Sequence, residues 1–332
     1  MSSLINEHAE ARTWVEEQRD ALSRHRAFER IKGCVIWADN RDANGHQLVP
    51  LDPEAIIQEI NAQGWPLLVG HDPGAPSGRV MAAKLFTDVN GRLFVAAVAG
   101  FYGDETRIGF AEFGAAEAFD APSPTHLPPL ANDFGFQVAV DPREVSPEWI
   151  DELIHDAPVE VVRRDLSHNA AEVLQELIRI GWPYFVVVWN PLVTTIAKEA
   201  GKDAYAALHK WFRKFLTRLS ERKNPIVEIQ AHQRGCLVSF LFRSNDVDRN
   251  YAAHDALPMA GAQAAKLIDH LRTRGVQPRT LVYEFEPGLK KWYPSFAELS
   301  DGRIITERGK LIAFENLPSA LSLGFLQSDD PG

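Results

Sequence analysis

The chain has 332 residues with a net charge of −10; 45% of its residues are hydrophobic and 24% charged. This is enough to bury sizeable cores without staples, and the length favours two domains. The acidic balance argues against a general nucleic-acid binder, which needs a basic field.

The N-terminal segment, MSSLINEHAEARTWVEEQ, is too polar and acidic for a secretory signal. Leu4, Ala11, Val15 and Leu22 recur among charges, so residues 2–30 read as a surface helix. Cys34 and Cys236 each sit in an apolar, strand-like run, far apart in the chain. They read as buried free thiols of a reducing, cytoplasmic compartment, without zinc-site spacing.

Ile31–Ala38 is an apolar strand, followed by an acidic turn, Asp39–Gly45. That turn lacks the full spacing and terminal Glu of a calcium loop, and no metal or cofactor is expected. Asp52 caps a short helix with Pro53 at its first position, and Gly64 ends it. Trp65–Val69 is a strand that runs into Gly70, His71 and Asp72. Val80–Phe86 and Leu93–Val98 flank Asn90-Gly91, a strong hairpin signal. A His at a strand–loop junction suits a proton carrier, because its unperturbed pKa lies near neutrality; the plain alternative is a turn shaped by Asp72. A partly helical stretch and the Pro-rich loop 122–129 lead to a strand at 132–140, stopped by Asp141-Pro142.

The order of these features resembles the prohead maturation proteases of tailed phages. Those serine proteases share a β-barrel fold with the herpesvirus capsid-maturation proteases. The matching runs are Lys32-Gly33-Cys34 leading to Asp42-Ala43-Asn44-Gly45, then Leu67-Leu68-Val69-Gly70-His71-Asp72, then Gly78-Arg79-Val80, then Asn90-Gly91-Arg92-Leu93. The resemblance covers about a third of the chain, roughly the 110 residues from Ile31 to Val140. It implies that His71 is the general base, beside Asp72. It also implies a groove at Gly78, Arg79, Phe134, Gly135 and Phe136.

One departure decides the expected activity. The family's nucleophilic Ser lies in a strand reading S-[IV]-G-F, and here Asp133 stands in that place. A carboxylate does not replace an alkoxide in peptide acyl transfer, because the anhydride it forms is costly to reach. Ser123 and Ser77 are the nearby hydroxyls, but neither lies in a strand that would hold a nucleophile rigidly. The expectation is a protease-like, non-catalytic binding or regulatory protein acting on a protein or peptide partner, phage-related by resemblance. The alternative is an active serine endopeptidase with His71 as base.

The second half carries no recognised pattern. Pro147 opens a short helix, and Ser167 is expected to cap another over 168–180. Gly181–Ala197 holds no charge but is short for a membrane span and broken by Asn190-Pro191, so a buried strand at 184–189 is expected. A long helix follows to about Arg222, with a basic end at Lys210, Arg213, Lys214, Arg218, Arg222 and Lys223. Residues 181–223 would serve a membrane-associated effector in a further alternative, although a solvated helix end accounts for the same charges. Hairpins at 225–243 and 304–314, a helix at 258–274 and a strand at 279–286 complete an α+β module. His209, His232, His254 and His270 are scattered without ligand spacing.

The expected organisation is therefore α+β throughout. Residues 1–26 form an N-terminal helix, 27–145 a barrel-like β-rich domain, 146–180 a helical connector, and 181–330 an α+β module with a mostly antiparallel sheet. That module would bind a protein or set a homo-oligomer, without nucleic acid or membrane.

Overall fold

The computed structural model describes residues 2–24, 27–41, 44, 45, 47, 52–70, 72–104, 107–115, 135–167, 176–182, 199–307, 321–323 and 325–326. Its contacts divide the chain into two compact units: Met1–Arg107 with Leu166–Glu172 and Arg308–Gly332, and Ile108–Asp165 with Val173–Glu307.

The first unit begins with α1 (Ser2–Glu7) and α2 (Ala9–Leu22), which break at His8; its ring Nδ1 accepts the Ala11 amide and caps α2. After β1 (Arg30–Ala38), α3 (Pro53–Gln63) is capped by Asp52 and closed by Gly64, as its residues predict. β2 (Trp65–Val69), β3 (Pro76–Thr87) and β4 (Leu93–Phe101) follow. The turn between β3 and β4 forms at Asn90-Gly91, where Gly91 takes φ 78° and Asp88 accepts the amides of Asn90 and Arg92. The sheet order is β1-β4-β3-β2, with the short strand Leu321–Leu323 beside β2.

This sheet does not close, so the expected barrel is not found among the described residues. Helices cover both faces instead. Ile5, Ala11 and Val15 pack on Phe94, Ala96 and Val98, while Ile56 and Ile60 pack on Val95, Ala97 and Ala99. With both faces covered, β4 reads as a nearly continuous apolar run, and closure is not needed to bury it.

The second unit has the two-residue strand β5 (Arg107–Ile108) at its start, then β6 (Gly135–Val140), α4 (Pro147–His155), β7 (Glu160–Ser167) and β8 (Glu176–Trp182). α5 (Glu199–Arg218), β9 (Pro225–Gln233), β10 (Cys236–Phe242) and α6 (Val247–Thr273) follow. β11 (Pro278–Glu286), β12 (Lys291–Leu299) and β13 (Ile304–Thr306) end it. The strand order is β7-β6-β8-β9-β10-β11-β12-β13-β5, with the two-residue strand Phe325–Leu326 beside the end of β7.

Several expectations are corrected here. The strand at 135–140 belongs to this second sheet, paired with β7 and β8, and does not complete a first domain ending at 145. The sheet is mixed, with β6/β7, β8/β9 and β10/β11 parallel, while β6/β8, β9/β10, β11/β12 and β12/β13 are antiparallel, so the part from β9 onward is mostly antiparallel as expected. Glu176–Ile180 is strand rather than the end of a Ser167-capped helix, because Leu177, Ile178 and Ile180 are buried in the middle of the sheet. A short apolar run of this kind has no period that separates a central strand from a helix. α6 starts at Val247, after its Asp246 cap and eleven residues before the expected Pro258, which lies inside the helix. The hairpin at Arg234-Gly235 forms as read, with φ of 52° and 71°. β13 pairs with β12, a strand the sequence reading missed, while 310–314 and the expected strand at 184–189 lie outside the described residues.

The helices pack against one face of the second sheet. Val138, Ile180, Ile229, Phe240 and Tyr283 point to that side and join Trp149, Phe212, Phe215, Leu267 and Leu271 in one core. The basic end of α5 is tied down within the unit: Arg213 meets Asp255 at 3.1 Å, Arg218 meets Glu221 at 3.0 Å, and Lys214 pairs with Asp156. Among the described residues, no helix is long and apolar enough to cross a membrane.

Candidate functional site

His71, Ser123, Asp133 and Phe134 lie outside the described residues. The other expected site residues divide between the units: Asp72, Ser77, Gly78 and Arg79 belong to the first, Gly135 and Phe136 to the second.

In the first unit each of these residues has a local structural task. Asp72 is buried, and its carboxylate accepts the Gly74 amide at 2.8 Å, which shapes the turn after β2. The Ser77 hydroxyl is buried and donates to the Leu67 carbonyl at 3.3 Å. Gly78 is required by close approach: a Cβ there would lie 2.3 Å from the Gly100 carbonyl oxygen. The buried Arg79 guanidinium donates to the carbonyls of Gln63 and Gly64 at 2.5 and 3.0 Å, satisfying the end of α3. A cavity of about 510 Å³ lies between the N-terminal helices and the start of β1, with Arg12, Arg19, Arg30, Lys32 and Glu16 in its lining.

In the second unit Gly135 and Phe136 line a cavity of about 470 Å³. It lies on the sheet face opposite α4, α5 and α6, and the pleat explains its lining. In register across the sheet run Val162, Gln137, Gly181, Gln230 and Ser239; the next row holds Glu160 beside Gly135, and His232 beside Leu237. Residues opposite one another in a ladder share a face. Gly181 forms the floor, and a Cβ there would meet nothing within 4 Å. The trough thus runs across five strands, β7 to β10 in sheet order, a span of about 19 Å at the usual strand spacing.

A buried polar network sits beside this floor. Glu228 is 2% exposed, and one of its oxygens accepts Arg179 Nε at 2.8 Å. The other accepts the Ser239 hydroxyl at 2.9 Å and the Gln230 amide nitrogen at 2.7 Å. Gln230 is therefore held in one orientation at the centre of the trough. A buried carboxylate with this many donors fixes the groups that satisfy it.

Other titratable groups lie away from the trough. His209 and His254, scattered in the sequence, stack at 4.8 Å between ring centroids on the α5–α6 seam. Burial, then the charges of His209 and Arg213, pull the His254 pKa down to about 3. Cys34 and Cys236 are free thiols, and burial pushes both up to about 12. Among the described residues no group of three or more His, Cys, Asp or Glu side chains is placed to hold a metal ion.

Most of the trough was missed from sequence. Gln137, Val162, Gly181, Gln230 and Leu237 carry no motif; the one available signal was polar residues alternating within the apolar strands β6 and β9. Compared with known protein families, characterised proteins and solved structures, the chain matches none.

Proposed function

We propose that this chain is a non-catalytic binding protein, and that its second unit takes an extended segment of a protein partner. The trough on the sheet face opposite α4, α5 and α6 carries this reading. Its length of about 19 Å suits roughly six residues of extended peptide. Two carboxamides, Gln137 and Gln230, stand on either side of the Gly181 floor, and each offers a donor and an acceptor to a peptide backbone. A Gly floor lets such a backbone come close to the sheet. Asp133, standing where the resemblance to prohead proteases puts the nucleophile, supports the absence of peptide cleavage.

The test is an array of immobilised random hexapeptides, read with the wild type and with Gly181→Val. Binding that the valine removes supports the reading; no binding, or binding indifferent to the valine, overturns it. Intact-mass spectrometry after incubation with denatured casein tests the non-catalytic part. Cleavage by the wild type that His71→Ala abolishes would show an active endopeptidase instead.

A further inference from the structure

We infer that the segment bound in the trough presents a basic side chain, Arg or Lys, to Glu160. This rests on the peptide-binding reading above and adds the chemistry of recognition.

Glu160 is exposed, and among the described residues lining the trough it is the one carboxylate, with no Arg or Lys beside it in that lining. The Val162 side chain stands on the same strand two residues on and therefore on the same face. It is one of few large hydrophobic side chains left exposed among the described residues, at 38%. The pair offers an apolar surface followed by a carboxylate, which matches a long aliphatic stem ending in a cation. From above Gly181 the distance to β7 is two strand spacings, about 10 Å, within reach of an extended Arg or Lys whose backbone lies on the floor. Among the described residues the opposite end, at His232 and Leu237, has no lining carboxylate, so the preference belongs to one end of the segment. The chain's net charge of −10 favours approach of a basic partner over an acidic one.

The experiment uses a positional-scanning hexapeptide library, each position fixed in turn as Arg, Lys, norleucine, Gln or Glu, with wild type, Glu160→Gln and Gly181→Val. The expected result is enrichment of Arg and Lys over norleucine at one terminal position, about three- to fivefold as for a partly exposed ion pair. Glu160→Gln should reduce that ratio to near one, and Gly181→Val should remove all binding. Binding lost in Gly181→Val but without basic preference, or with a preference that survives Glu160→Gln, overturns this inference and leaves the peptide-binding reading standing. Preference for Glu that persists in Gly181→Val points to the basic cavity of the first unit and overturns both. No binding at all also overturns both.

Discussion

The two sheets differ in what covers them. In the first unit helices lie on both faces, and the strands are filled with small apolar residues; Ala96, Ala97 and Val98 on β4 are wholly buried. In the second unit α4, α5 and α6 share one face, and the other keeps Gln137, Glu228, Gln230 and His232. A sheet covered twice offers its face to nothing but its own helices. The face of the second sheet opposite those helices holds polar side chains, buried at Glu228 and Ser239 and exposed at Gln137 and His232, and there Gly181 is a floor rather than a point of close packing.

The strongest way to break this comparison is to remove the cation beneath the trough. Arg179→Met should destabilise the second unit by about 3–5 kcal/mol, because it removes one half of a buried ion pair. Chemical denaturation measures it, and a loss under 1 kcal/mol would mean that the network is not holding the sheet together.

The two glycines sharpen the comparison directly. Gly78→Val, in the doubly covered sheet, should cost about 3 kcal/mol, since its Cβ would meet the Gly100 carbonyl. Gly181→Ala, where an added Cβ meets nothing within 4 Å, should shift stability by no more than about 0.5 kcal/mol. Equal melting shifts for the two would contradict the difference in coverage.

A pH titration probes the closed side of the second sheet. His254 is held neutral in the fold, with its pKa pulled down to about 3, whereas an unfolded His titrates near 6.5. Its contribution is therefore fully present above about pH 6.5 and is lost as pH falls toward 3. Between pH 7 and pH 5 this amounts to about 2 kcal/mol. His254→Phe should flatten that part of the stability curve, measured by thermal melts against wild type.

The smallest effect concerns the thiols. With both pushed up to about 12 by burial, Cys34 and Cys236 should react with iodoacetamide at pH 8 far more slowly in the native protein than after unfolding. Intact-mass measurement over time reads the difference.

The residues alone determined the local elements. Asp52-Pro53 and Gly64 bracket α3, Asn90-Gly91 turns β3 into β4, and Arg234-Gly235 turns β9 into β10, because caps and tight turns are set by a few adjacent residues. The α+β class was legible for the same reason. What the sequence left open was which strand joins which sheet. Gly135–Val140 looked like the end of the first domain and instead pairs within the second; Glu176–Ile180 looked helical and is a central strand. Strand pairing is decided by partners distant in the chain, so an apolar run of six residues does not identify its neighbours. The trough belongs to that second kind of information: Gln137, Gly181 and Gln230 come from three strands and become one row only when the mixed sheet assembles around them.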